Sequence, residues 1–285
     1  MIQRWLGIAT AVAGLAALAA GAAPAAERIV CVSKQINEFL YAIGAQDQLV
    51  ARDLTSVYPP EILKLPSVGY HRALSAEGIV SVKPTLFLTD GNVGPEAVIE
   101  QVRSVGIPVV VLRPGSTPDS AQALLLALGA RFGREAQARE VLVRWRAGMD
   151  SVLADSARLA AHAPRVLFMH FGQIVNNYLG IRSGTPADRI LRWAGGRNAL
   201  DSLGGMSRLT PESIARAAPE VIVATDVGFD RVGSAGKFAE LPGVSLTPAA
   251  KSGRIYRIDE SEIMYFGPRT PAAVRHLAGL LHGGR

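Results

Sequence analysis

The chain has 285 residues, a formal net charge of +6 and one cysteine, Cys31. A lone cysteine excludes an internal disulfide and any CxxC metal or redox motif. Its basic residues are scattered, without a run or interleaved aromatics, which argues against nucleic-acid binding and suits solubility or an anionic ligand.

The first residues read as an export signal. Arg4 supplies the positive end, 6–20 is an apolar run, and Ala23-Pro24-Ala25 offers the small residues a signal peptidase accepts. Residues 1–26 are therefore expected to be a cleaved signal peptide, with the mature chain in the periplasm. The run is mostly Ala and Gly, too weakly apolar to favour a membrane anchor. Ile29 and Val30 precede Cys31 where a lipid-attachment site needs small residues, so Cys31 reads as a buried strand thiol.

Beyond the leader, short β-rich runs alternate with helical stretches, the pattern of α/β layers around mostly parallel sheets. The predicted strands are 28–33, 86–89 and 109–112 in the first half, then 166–171, 221–224 and 255–258 in the second. Between the halves, residues 133–161 carry Leu142, Trp145, Met149, Val152 and Leu159 near helical spacing. At 1.5 Å per residue such a helix spans about 40 Å, enough to run the height of two lobes and to limit hinge motion. The expected fold is two Rossmann-like α/β lobes with parallel sheets, 27–132 and 162–285. A single long helix over 133–161 joins them, and a ligand cleft lies between.

An internal match supports repeated lobes. Residues 74–88 align without a gap on 209–223, and each copy reads as a capped helix, a proline and a buried strand. Ser75 and Thr210 are the expected N-caps. Glu77 and Glu212 follow two residues later, near the positive end of each helix dipole, and Pro211 falls at a first helical position, where it does no harm.

These features together resemble the helix-linked class of periplasmic binding proteins that serve ABC importers for haem, cobalamin and ferric siderophores. The sharpest segment is Leu65-Pro66-Ser67-Val68-Gly69-Tyr70-His71-Arg72-Ala73-Leu74-Ser75-Ala76-Glu77-Gly78, which looks like the haem-binding branch; Gly267-Pro268-Arg269-Thr270-Pro271 also fits. The resemblance implies Tyr70 as ligand of the haem iron, and Glu77 and Glu212 as the acids that dock the two lobes onto arginines of the importer's membrane subunits. Two departures stand out. Relatives often carry a glycine-rich loop where residues 172–180 are bulkier and polar, and tend to carry a tyrosine near Met206.

The chemistry is consistent with this. Ferric iron is hard and prefers anionic oxygen, and a tyrosine phenolate is one of the axial ligands of haem. The phenolate is favoured at neutral pH by the metal's charge and by a nearby guanidinium, for which Arg72 and Arg231 are candidates. Other expected haem contacts are His71, His170, Tyr178, Arg182 and Met206, whereas His162, His276 and His282 read as surface residues.

Enzyme signatures are absent from the sequence: there is no GxSxG elbow, no HExxH and no Walker loop at Gly233-Ser234-Ala235-Gly236-Lys237. The expectation is a non-enzymatic, monomeric carrier of ferric haem with no catalytic cofactor. A ferric-siderophore or cobalamin carrier of the same fold is the alternative, and an exported two-domain enzyme the remote one.

Overall fold

The computed structural model describes residues 27–171 and 178–283. The expected signal peptide and most of the polar loop at 172–180 lie outside them. Four strands form the first sheet: β1 (Ile29–Val32), β2 (Leu49–Arg52), β3 (Leu86–Thr89) and β4 (Val109–Val111), in the order β2-β1-β3-β4 and all parallel. The second sheet contains β5 (Arg165–Phe171), β6 (Tyr178–Ile181), β7 (Arg197–Asn198), β8 (Met206–Arg208), β9 (Val221–Thr225) and β10 (Ile255–Ile258). Its order is β10-β9-β5-β6-β8, with β7 beside β5. Strands β1, β3 and β9 are buried throughout, as parallel strands covered by helices on both faces must be.

Helices α1 (Lys34–Ala42), α2 (Ala76–Ser81), α3 (Glu96–Ser104) and α4 (Pro118–Arg131) belong with the first sheet, and α5 (Glu135–Ala160) leads to the second. There follow α6 (Pro186–Trp193), α7 (Pro211–Ala217), α8 (Asp226–Val232), α9 (Ala235–Ala239), α10 (Pro248–Lys251), α11 (Glu260–Ile263) and α12 (Thr270–His282). In the repeated segment, Ser75 and Thr210 cap α2 and α7 by accepting from the Gly78 and Ser213 backbone N–H groups. Among the described residues no helix is long and apolar enough to cross a membrane.

The first sheet is parallel, but the second is mixed, because β6 runs antiparallel to β5 and β8 antiparallel to β6. Six residues separate β5 from β6, too few for the crossover that a parallel neighbour requires.

The helix α5 buries Ala138, Val141, Leu142, Met149 and Val152, a stripe at three-, four- and seven-residue steps that faces one side. It packs on α4, α12, α6 and α1. Ile36 and Leu40 of α1, Val141 and Met149 of α5, Leu191 of α6 and Leu277 of α12 accordingly share one hydrophobic cluster spanning both halves. At Gly148 the helix comes so close to Pro271 that a Cβ there would sit 2.9 Å from the Pro271 Cβ.

Polar contacts also cross between the halves. The Gln35 amide donates to the Phe266 carbonyl at 2.8 Å, and the Trp145 indole to the Gly267 carbonyl at 3.1 Å. Glu38 is buried and accepts from the Tyr265 hydroxyl at 2.8 Å and from the Arg269 guanidinium. That guanidinium lies over the Tyr58 ring, 3.4 Å from its centroid.

Candidate functional site

The C-terminal ends of strands from both sheets meet around one cleft of about 710 Å³, the place where open parallel sheets collect ligands. Ser33, Asp53 and Asp90 follow β1, β2 and β3 into it, and His170 of β5 with Asp226 and Asp259 after β9 and β10 faces them.

Tyr70 reaches the cleft on a loop that runs alongside β2. Arg52 N–H donates to the Pro66 carbonyl, Val68 N–H to the Arg52 carbonyl and Leu54 N–H to the Gly69 carbonyl, at 3.0, 2.9 and 2.8 Å. Gly69 has φ +106°, a conformation that a residue with a Cβ adopts only under strain. Further along, Gly94 N–H donates to the His71 carbonyl at 2.8 Å and Leu74 N–H to the Gly94 carbonyl at 2.9 Å, which pins the loop on both sides of the tyrosine.

The His71 ring meets Tyr70 edge-on, with centroids 4.5 Å apart. Its Nδ1 is 3.4 Å from the Thr55 hydroxyl and 3.9 Å from the buried Asp53 carboxylate. That carboxylate also accepts from Thr55 N–H at 2.9 Å and from the Thr55 and Ser56 hydroxyls. Burial pulls the His71 imidazole below its ordinary value against the upward pull of Asp53, so the ring is neutral at pH 7. His170, opposite, is likewise held low by burial, against Glu260. Its Nδ1 lies 3.3 Å from the Thr225 hydroxyl and 3.9 Å from Glu260 Oε2.

Apolar side chains form both walls. Leu54 and Val57 of the first lobe and Met206 and Val227 of the second stand exposed around the cleft, with Leu179 and Met264 also lining it. Large apolar groups left open to solvent on facing surfaces mark a place where something apolar is meant to sit.

Of the residues singled out in the sequence, Tyr70, His71, Arg72, His170 and Met206 come together in the cleft. Tyr178, Arg182 and Arg231 are not among the described residues lining it. Successive strand residues face opposite ways, so with Leu179 on the cleft side, Tyr178 packs against the second lobe's own core. The Arg182 guanidinium donates to the Ser202 hydroxyl at 2.8 Å. Arg231 is exposed in the last turn of α8, a full turn beyond the lining residues Asp226 and Val227. His282 is half-buried, its Nε2 3.1 Å from the Ala194 carbonyl, whereas His162 and His276 are exposed.

Glu77 and Glu212 are exposed in the first turns of α2 and α7, outside the cleft lining. Hydrogen bonds from its own N–H and from Thr210 hold the Glu212 carboxyl below its usual range, so the acid stays charged at the surface.

Sequence reasoning passed over the charged groups at the strand ends. Among the described residues the cleft is lined by five carboxylates, Asp53, Asp90, Asp226, Asp259 and Glu260, against two cations, Lys34 and Arg72. A usable signal was present, since the buried runs of β3 and β9 both end in Thr-Asp, at Thr89-Asp90 and Thr225-Asp226.

Two lobes, a long helix between them and a cleft at their strand ends define a substrate-binding protein. The chain belongs to the periplasmic binding protein family, whose family model matches residues 29–262. Among solved structures it resembles the periplasmic haem-binding protein RhuT from Roseiflexus sp. RS-1, at 30% identity and a TM-score of 0.80 over 90% of this chain and 98% of that one. It resembles equally the periplasmic haem-binding protein BhuT in complex with two haems, at 31% identity and a TM-score of 0.80 over 90% and 99%. The vitamin B12-binding protein of Yersinia pestis is 30% identical over 203 residues, 70% of either chain.

Proposed function

We propose that the protein captures ferric haem between a lobe of residues 27–132 and a lobe of residues 162–285, and delivers it to an ABC importer without catalysing a reaction. Tyr70 serves as the axial oxygen ligand of the iron. One observation carries the reading: a tyrosine held on a pinned loop opens into a cleft whose facing walls are the exposed apolar groups Leu54, Val57, Met206 and Val227. A flat apolar macrocycle buries those walls, and its metal meets the hard oxygen donor it prefers. The cleft volume, about 710 Å³, falls in the usual range of small-molecule sites. Likeness to haem-binding proteins at 30 and 31% identity along nearly the whole chain supports the same reading.

His71 and Arg72 flank the iron ligand, and His170 and Met206 meet the ligand from the second lobe. Glu77 and Glu212, one per lobe, dock the loaded protein on the importer's membrane subunits. The reading is tested by titrating the mature, ligand-free protein with ferric haem while following the Soret and charge-transfer bands. Saturation with a tyrosinate-type high-spin spectrum, lost in Tyr70→Ala, is the expected result; an unchanged spectrum on adding haem overturns it.

A second reading, cobalamin, is favoured by the vitamin B12-binding relative and by the excess of carboxylates in the cleft, which suits a ligand without anionic arms. Competition between haem and cobalamin for the cleft separates the two, and a ferric siderophore is tested in the same assay.

A further inference from the structure

Among the described residues, one ion pair of the cleft joins its two walls. Lys34 begins α1 in the first lobe, and its Nζ lies 2.6 Å from Oε1 of Glu260, which begins α11 in the second. Both groups line the cleft and both side chains retain some exposure, 24% for Lys34 and 20% for Glu260. An ion pair that solvent can reach is worth little to stability, about 0–1 kcal/mol, so the contact is easily exchanged.

The surroundings show what could exchange it. Glu260 sits among acids: Asp259 precedes it, Asp226 accepts from its backbone N–H at 3.1 Å, and both carboxylates line the same wall. Lys34 and Arg72 are the cations among the described lining residues, and the Arg72 guanidinium reaches only a neutral acceptor, Asn92, at 3.3 Å. Lys34 lines the cleft together with Tyr70, His71 and His170 and acts electrostatically on both histidines. A ligand carrying carboxylates alongside an apolar body finds this ammonium already holding a carboxylate of the protein.

We propose that Lys34 is the receptor for a carboxylate of the ligand and that Glu260, its partner at 2.6 Å, competes with the ligand for the ammonium. Entry of the ligand then exchanges one carboxylate for another and unfastens the two walls. For haem the incoming group is a propionate, and to that extent the inference rests on the function proposed above. The released Glu260 has His170 as its neighbour, 3.9 Å from Oε2, and that ring can take up a proton and balance it. The exchange lets the cleft admit a carboxylated ligand despite its acidic lining, because the ammonium has a carboxylate partner before and after entry and the freed Glu260 keeps His170 beside it.

The experiment compares ferric haem with its dimethyl ester, which keeps the macrocycle and the iron but carries no carboxylates, on wild-type protein and on Lys34→Gln, Lys34→Arg and Glu260→Gln. In Lys34→Gln, affinity for haem is expected to fall about tenfold while affinity for the ester changes little, since only the charge-assisted contact is lost. Glu260→Gln, which removes the competitor, is expected to bind haem several-fold more tightly, and Lys34→Arg to restore most of the affinity. Equal losses for haem and ester in Lys34→Gln, or weaker haem binding in Glu260→Gln, overturn the exchange while the tyrosinate spectrum of the wild type leaves the haem reading standing. If wild-type protein takes up neither haem nor ester, the haem reading falls, and the exchange with it.

Discussion

Glu38 and Arg269 are 231 positions apart in the chain and form a hydrogen-bonded ion pair across the two halves, with the Glu38 side chain only 2% exposed. Burial pushes the Glu38 carboxyl up, and its bonds to Arg269 and Tyr265 pull it back. Removing one member leaves the other in a low-dielectric site. Arg269→Ala, which strips Glu38 of its cation, is expected to cost about 3 kcal/mol in stability, somewhat softened because Arg269 itself is partly exposed. Glu38→Gln, which keeps an acceptor for the guanidinium, is expected to cost less. Denaturant unfolding of the two variants checks the order.

The Tyr70 phenol and the glycine before it make separable predictions. Tyr70→Phe keeps the ring and its edge contact with His71 but removes the oxygen, so the fold is retained while haem affinity drops and the charge-transfer band disappears. Gly69→Ala changes no residue that lines the cleft but forces a Cβ onto a backbone at φ +106°, at a cost of about 1–3 kcal/mol. It is expected to lower stability and to displace the phenol, so that haem affinity falls with an intact Tyr70. Thermal unfolding and haem titration of both variants distinguish loss of the ligand atom from loss of its placement.

A pH dependence follows from the two cleft histidines. Burial holds both below the ordinary histidine value of 6.5, so below about pH 6.5 the unfolded chain binds protons that the folded cleft resists. Their contribution to stability is complete above that pH and is lost as the pH falls through it. The carboxyls of Glu38 and Asp226, which burial raises, act with the opposite sign. The test is therefore the difference between wild type and the double variant His71→Gln, His170→Gln. Unfolding free energy should fall more steeply for wild type between pH 7.5 and 5, and parallel curves would contradict the prediction.

Docking is tested apart from binding. The double variant Glu77→Ala, Glu212→Ala is expected to bind haem as the wild type does, because both acids lie outside the cleft lining, yet to fail in ligand uptake through the importer. Normal uptake by that variant would remove these acids from the docking surface.

Strands of both sheets that begin on buried aliphatic residues were legible in the sequence. Residues 86–89 and 255–258 coincide with β3 and β10, and the long helix, expected over 133–161, spans Glu135–Ala160. What escaped was short or half-exposed. β2 alternates buried and half-buried residues over four positions, β8 is largely exposed, and β6 contains Gly180 inside a segment that reads as loop. His170 could be placed because it lies at the end of a strand, and Tyr70 with its neighbour His71 because their loop resembles that of the haem-binding branch. Arg182 was a candidate through nearness to the 172–180 loop and Arg231 as a guanidinium from the other lobe, and neither argument says which face a side chain takes. Lys34 and Glu260 escaped for a different reason: their pairing depends on how two separately built lobes face each other, and no local pattern encodes that.

The hydrophobic cluster that passes from α1 through α5 to α6 and α12 has a consequence for how the molecule comes apart. Neither lobe owns the apolar surface on which it rests, so cutting the chain after the first lobe would leave the faces of Leu40, Leu125 and Leu128 without their cover from α5. Heat should therefore melt both halves in one transition whose calorimetric and van't Hoff enthalpies agree. The two-lobed outline, which suggests two domains in series, conceals a single cooperative unit.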